Sequence, residues 1–205
     1  EKHYLSIFIG AAALILLGFG SWFLYRYFIG KNAVEILDWN QAQQVQLTSS
    51  LGTKSYPSLS PDGKNFIFTG YTREGKHIYS QRTGGKNFIN LTADFSADSS
   101  MAVYSPDGKL ITFRSEKDSG GIYLMEETGE NIRRVTDFGF HPSWSPDGKT
   151  LVVSDKVSDV ATNHTIPNSQ LWTVDIATGE KKQLETKGDA IQPHWSPHGK
   201  RIAFW

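Results

Sequence analysis

The chain has 205 residues with 21 basic and 21 acidic side chains, so it has no net charge to attract nucleic acid or an acidic membrane. It contains no cysteine, which excludes disulfide bonds and thiol catalysis but leaves the compartment open. Aromatic residues make up 13% of the chain, and glycine and proline are frequent. This composition favours an all-β domain over a helical bundle.

The first predicted element is a transmembrane helix over residues 4–24, which include no charged side chain. As a helix this segment would be about 30 Å long, enough to cross the hydrocarbon core of a bilayer. Aromatic and basic residues typical of a membrane interface cluster at its C-terminal end: Trp22, Tyr25, Arg26, Tyr27 and Lys31. The bulky residues there make a cleaved signal peptide less favoured, and the flanking charges do not decide the orientation.

Three regions follow from this pattern. We predict a membrane anchor over residues 1–29, a short polar linker over residues 30–43, and a β domain over residues 44–205. The β domain begins with an alternating segment at Val45–Thr48.

The β domain contains a repeated turn sequence. Ser-Pro-Asp-Gly-Lys occurs three times, and a fourth copy has histidine in place of aspartate. Proline presets the backbone, aspartate bonds to nearby amides, and glycine accepts a positive φ, so each copy predicts a tight hairpin. The copies lie 45, 40 and 51 residues apart: Ser60–Lys64, Ser105–Lys109, Ser145–Lys149 and Ser196–Lys200.

Each repeat offers four short strands, one before the turn and three after it. Neighbouring sheets of this size must stack to bury their apolar faces, and a period of 40 to 50 residues indicates a β-propeller rather than a linear β-solenoid. The predicted strands after the turns are 66–68, 78–79 and 89–92 in the first repeat, 110–113, 122–125 and 132–136 in the second, 151–153, 171–174 and 182–184 in the third, and 202–204 in the fourth. We therefore predict about three complete four-stranded blades plus fragments.

These motifs resemble the TolB-like, WD-related propeller repeat over residues 44–205. The resemblance is carried by His-Pro-Ser-Trp-Ser-Pro-Asp-Gly-Lys at 141–149 and Gln-Pro-His-Trp-Ser-Pro-His-Gly-Lys at 192–200, with Ile-Ala-Phe at 202–204, Ile-Tyr-Leu-Met at 122–125 and Arg-Arg-Val-Thr at 133–136. The resemblance implies that Val45–Thr48 completes a last blade whose other strands lie beyond this chain. The chain would then form one arc of a propeller.

Two departures from the repeat stand out. His198 replaces the turn aspartate in the fourth copy, where Pro197 and Gly199 should preserve the hairpin. An insertion at about 155–168 lengthens the third repeat, and loops of this length tend to be binding elements or disordered flaps.

No catalytic motif is present, so we expect no enzyme activity within the chain and no cofactor. The four turn serines have a structural role by their repetition. His194 and His198 are four residues apart, but they are predicted on a strand and a hairpin tip, where that spacing does not form a metal site.

The candidate binding residues come from geometry. If the strand before each turn is the innermost of its blade, its first residues lie at the mouth of the central channel. The residues four positions before each turn serine differ between blades, as recognition positions on a repeated scaffold would: Tyr56, Met101, His141 and Gln192.

Three functions remain open. The preferred one, implied by the resemblance, is a single-pass bacterial signalling or sensor protein whose extracytoplasmic propeller binds a protein or small ligand, without nucleic-acid contact by this chain. The second is the propeller region of a membrane-anchored peptidase of the prolyl-oligopeptidase type. The third is a TolB-like periplasmic assembly factor.

Overall fold

The computed structural model describes residues 16–26, 42–48, 52–157 and 168–205. The chain divides into two units, Glu1–Val45 and Gln46–Trp205.

In the first unit, residues 16–26 are helical. Residues 4–15 of the predicted membrane span lie outside the described part of the chain. Within the described part, none of the helices has the length and apolar character needed to cross a membrane. The membrane-spanning helix therefore stays a prediction.

The second unit is built from antiparallel sheets, each made of strands consecutive in sequence. Blade 1 comprises β1 (Lys54–Leu59), β2 (Asn65–Thr72), β3 (Gly75–Arg82) and β4 (Phe88–Asn90). Blade 2 comprises β5 (Ser99–Tyr104), β6 (Leu110–Ser115), β7 (Gly121–Glu126) and β8 (Arg133–Thr136), with a 3₁₀ turn at Lys117–Ser119. Blade 3 comprises β9 (Phe140–Trp144), β10 (Thr150–Ser154), β11 (Leu171–Asp175) and β12 (Lys181–Leu184). Blade 4 is represented by β13 (His194–Trp195) and β14 (Ile202–Ala203).

This architecture confirms the all-β class and the four-stranded repeat, with strand ends within a few residues of the prediction. The exception is Val45–Thr48, which forms no strand. A strand requires a ladder of main-chain hydrogen bonds to a neighbour. The bond found here is instead from a side chain, with Gln81 Nε2 donating to the Leu47 carbonyl at 3.1 Å.

Successive blades pack face to face through buried apolar side chains. Ile67 and Ile78 of blade 1 are fully buried in one cluster with Phe113 and Tyr123 of blade 2. The next cluster joins Ile122 of blade 2 to blade 3, and the last joins blade 3 to Trp195 and Ile202 of blade 4. Each fully buried isoleucine contributes roughly 1.5–3 kcal/mol.

The strands that precede the turns lie next to one another from blade to blade, in the order β1, β5, β9 and β13. Two side chains bridge them. The Tyr104 amide donates to Ser58 Oγ at 3.4 Å, and the Trp195 amide donates to Ser143 Oγ at 3.1 Å. These bonds join the C-terminal ends of neighbouring strands, next to the Ser-Pro-Asp/His-Gly turns.

The Ser-Pro-Asp-Gly turns share one hydrogen-bond network. In the second copy, Ser105 Oγ donates to Asp107 Oδ1 at 2.7 Å and accepts from the Leu110 amide at 3.0 Å. The first and third copies repeat both bonds within 0.1 Å. The serine bond is the largest cause of the lowered pKa of each aspartate, which falls to about 2 at Asp62.

The fourth turn keeps the hairpin without the aspartate. The Gly199 amide donates to the Ser196 carbonyl at 2.9 Å, and the Arg201 amide donates to Ser196 Oγ at 3.2 Å. The hairpin therefore survives the change to His198, as expected from Pro197 and Gly199.

We predict that Ser105→Ala destabilises the protein by about 1–3 kcal/mol, because the buried Ser105 hydroxyl accepts from the Leu110 amide and donates to Asp107, and both groups would lose this partner. Urea denaturation would measure the change. Ser196→Ala is the matched control, since that turn is less buried and lacks the aspartate. Equal losses in the two variants would contradict a role for the serine–aspartate bond.

Candidate functional site

The four predicted positions surround one cavity of about 230 Å³. Each blade contributes one of them: Tyr56, Met101, His141 and Gln192. The remaining lining residues follow these positions within two residues along the chain: Pro57, Ala102, Val103, Pro142 and His194. That this cavity binds a ligand stays a prediction.

All four positions have a left-handed backbone. Their φ angles are 52° at Tyr56, 55° at Met101, 51° at His141 and 51° at Gln192. In the three complete blades, the pairing register between the first two strands shifts at this point. Such a bulge re-aims a side chain, and residues in sparsely populated backbone conformations cluster at functional sites.

The side chains at the cavity are held by specific contacts. The rings of Tyr56 and His141, from blades 1 and 3, have centroids 5.8 Å apart. Trp205 Nε1 donates to Gln192 Oε1 at 2.8 Å, which fixes the amide of blade 4. Met101 is 7% exposed. The cavity thus has an ordered wall with aromatic, thioether, imidazole and amide groups.

The cavity is lined by no permanently charged side chain among the described residues. The described lining residues include no aspartate, glutamate, lysine or arginine. Its volume is below the roughly 300–1,000 Å³ typical of sites for drug-sized ligands. The arrangement therefore suits one uncharged, partly apolar side chain or group with hydrogen-bonding capacity.

A buried arginine, Arg114, lies next to the residues that precede His141 and was not predicted from the sequence. The Arg114 guanidinium donates two hydrogen bonds to the Glu116 carboxylate at 2.9 and 2.8 Å, and these bonds lower the pKa of Glu116. It also donates to the Gly139 carbonyl at 3.2 Å and lies 4.3 Å from the centroid of the Phe140 ring. Arg114 therefore anchors the backbone that leads into His141.

Two other features singled out in the sequence are the histidine pair His194 and His198 and the insertion in the third repeat. His194 lies on β13 and lines the cavity, whereas His198 lies in the last turn. Across the described ranges, no group of three or more potential ligands could hold a metal ion. Most of the insertion, residues 158–167, lies outside the described part, and at its base the Gln170 amide donates to Asp155 Oδ1 at 2.8 Å.

Comparison with known families identifies the repeat. A family model described as the TolB beta propeller domain matches residues 23–166, more than half of the chain.

Individual relatives agree with this match. The chain is 28% identical over 169 residues to an uncharacterized protein of Agrobacterium fabrum, covering 77% of this chain and 57% of the relative. It is 27% identical over 191 residues to the uncharacterized peptidase YuxL of Bacillus subtilis, covering 72% and 28%. The crystal structure of TolB from Acinetobacter baumannii superposes with a TM-score of 0.64 at 28% identity, covering 80% of this chain and 40% of that one. The chain thus spans between 28% and 57% of the lengths of these proteins.

We predict that His141→Val destabilises the protein by about 1–3 kcal/mol, because a β-branched side chain is strained at a φ of 51°. His141→Asn should cost less, since asparagine tolerates this conformation while it also removes the imidazole. Urea denaturation of the two variants would compare them. Equal destabilisation would show that loss of the imidazole, and not backbone strain, controls stability here.

Proposed function

We propose that this chain, which belongs to the TolB beta propeller family, is the binding module of a membrane-anchored protein with its propeller outside the cytoplasm. The cavity formed by Tyr56, Met101, His141 and Gln192 is its recognition site. The observation that carries this proposal is the use of one repeat position from four blades, with the same backbone conformation and a different side chain each time.

The proposed occupant is an uncharged side chain projecting from a protein partner. An ionised ligand would lose its hydration in the cavity without gaining a carboxylate, ammonium or guanidinium partner from the described lining. A projecting side chain would instead pack against the exposed edges of the contacting Tyr56 and His141 rings and hydrogen-bond to the Gln192 amide. The rest of the partner would lie on the surrounding face of the propeller.

Membrane anchoring is the second part of the proposal. It rests on the uncharged segment 4–24 and on the interfacial aromatic and basic residues that follow it. The linker proposed at residues 30–43 would let the propeller act near a bilayer surface. A larger signalling protein is the setting that we propose for such a tethered receptor module.

A peptidase is the second candidate, favoured by the similarity to the Bacillus subtilis protein named as one. In that case the propeller would accompany a catalytic domain encoded outside these residues and would admit peptides to it. Hydrolysis of peptide substrates by the full-length gene product would favour this candidate over a receptor. A TolB-like assembly factor would share the same binding face.

A photoreactive benzoylphenylalanine in place of Tyr56 should cross-link a protein partner in intact cells, because position 56 lines the cavity. The control is the same group at Tyr71, which is exposed and lies away from that cavity. His141→Ala in the position-56 background should lower the adduct yield about tenfold, as expected for a residue central to recognition. Equal adducts from positions 56 and 71, unaffected by His141→Ala, would contradict the proposed site.

Reporter fusions test the anchoring. Alkaline phosphatase fused after Trp205 should be active and green fluorescent protein should be dark, because the first requires export and the second does not fold after standard export. Deletion of residues 4–24 should reverse both signals and release the protein from the membrane fraction. A fluorescent fusion of the unaltered chain would place the propeller in the cytoplasm and refute the proposed location.

A further inference from the structure

The neutral total charge hides a strongly basic first blade. Residues 54–90 contain six lysines and arginines against two acidic residues, whereas residues 99–136 contain five against six. The charge of blade 1 is therefore a local property, and its distribution on the sheet shows where it could act.

Half of this net excess of four positive charges lies at the β3–β4 turn, which carries Arg82 and Lys86 and no acidic residue. Arg82 pairs with Asn65 in the ladder, and the equivalent positions of blades 2 and 3 are Glu126 and Asp175. Lys86, four residues after Arg82, corresponds to Glu130 in blade 2. The same turn is thus basic in blade 1 and acidic in the other two blades.

On the outer strand the difference is reversed, because blade 1 has an apolar residue where the other two blades have a basic one. Ile89 lies opposite Ser80, and the residues at the equivalent places are Arg133 in blade 2 and Lys182 in blade 3. Charges on an edge strand protect it from unwanted pairing, and blade 1 lacks them. Ile89 is 69% exposed and Phe88 is 44% exposed.

A main-chain hydrogen bond and a ring contact order this corner of the blade, where Phe88 and Ile89 project from opposite faces of the edge strand. The Thr83 amide donates to the Lys64 carbonyl at 2.8 Å, which joins the Ser-Pro-Asp-Gly-Lys turn to the β3–β4 turn. The Lys64 ammonium lies 3.2 Å from Asp62, but both are exposed and such pairs contribute little. Phe88 packs edge-on against Tyr79 with centroids 5.2 Å apart, so its ring is held in place while it remains partly open to solvent.

We propose that this corner of blade 1, formed by Lys64, Arg82, Lys86, Phe88 and Ile89, contacts the surface of a membrane that contains anionic lipid. Lysine and arginine near such a surface are attracted to its headgroups, and adjacent apolar side chains can enter the interface. A uniformly acidic segment would satisfy the cations but would leave exposed Ile89 without an apolar environment. The inference goes beyond the cavity and does not depend on it.

The absence of cysteine permits a site-specific test with the full chain. Asn87→Cys places an environment-sensitive fluorophore in the corner, and Ala177→Cys places the same probe in the equivalent turn of blade 3; both positions are exposed. The labelled chains are reconstituted into vesicles of phosphatidylcholine alone or mixed with phosphatidylserine. We expect a blue-shifted emission only for the position-87 probe, only with phosphatidylserine, and reversed by high salt.

Glutamine variants of the three corner cations, with a matched set of control variants, test whether these cations make the contact with anionic lipid. Changing Lys64, Arg82 and Lys86 to glutamine should weaken the contact about fivefold for each cation and abolish the blue shift. Changing Lys109, Lys149 and Lys200 to glutamine removes three charges from the other turns and should leave it unchanged. Ile89→Lys introduces the residue type found at the equivalent position of blade 3. This variant should still be attracted to phosphatidylserine vesicles at low salt, but the blue shift of the position-87 probe should be smaller.

Several results would overturn the proposal. One is the absence of a blue shift of the position-87 probe with either kind of vesicle. Another is an equal blue shift of the position-177 probe. A third is an equal loss of the blue shift when Lys109, Lys149 and Lys200 are changed instead of Lys64, Arg82 and Lys86. A shift produced by soluble polyglutamate but not by anionic vesicles would assign the corner to an acidic protein instead. Flotation of each labelled chain with neutral vesicles tests the proposed membrane anchor separately. An anchor that does not insert can therefore be distinguished from a blade 1 corner that does not contact lipid.

Discussion

Burial of apolar side chains between successive sheets is the interaction on which the rest of the structure depends. Ile67 and Ile78 of blade 1 meet Phe113 and Tyr123 of blade 2 in a cluster that excludes solvent. A four-stranded sheet has two faces and can bury little by itself, so each blade needs a neighbour. This explains why the middle strands are buried almost throughout, as in β6, rather than on alternate residues.

Stacking of the sheets also constrains the backbone at both ends of the strand that precedes each Ser-Pro-Asp/His-Gly turn. At one end, the turn glycine faces the preceding turn: a Cβ on Gly108 would lie 3.2 Å from Cδ of Pro61. At the other end, a non-glycine residue adopts a positive φ at a cost of roughly 1–2 kcal/mol. The interblade core offsets that cost, and the result is a scaffold that presents one re-aimed side chain from each blade to a shared cavity.

The repeat made much of this predictable. The turn sequence gave the strand order and the blade period, and simple counting back from Ser60, Ser105, Ser145 and Ser196 found the cavity positions. Pairing was harder to predict, because Val45–Thr48 has the alternation of a strand but no ladder in the described residues. Arg114 could not be found from sequence, since its burial depends on Glu116 and on a carbonyl 25 residues away at Gly139.

Departures between equivalent positions carry more functional information than the repeat itself. Arg114 stands where the ladder places Thr69 in blade 1 and Ser154 in blade 3, and it alone of the three can bind a carboxylate and a carbonyl at once. Ile89 stands where Arg133 and Lys182 protect the other edges. Packing fixes the residues that face neighbouring blades, whereas the rims and outer edges are free to differ. A total charge of zero conceals this freedom, because the excess of cations in blade 1 is balanced by an excess of carboxylates elsewhere in the chain.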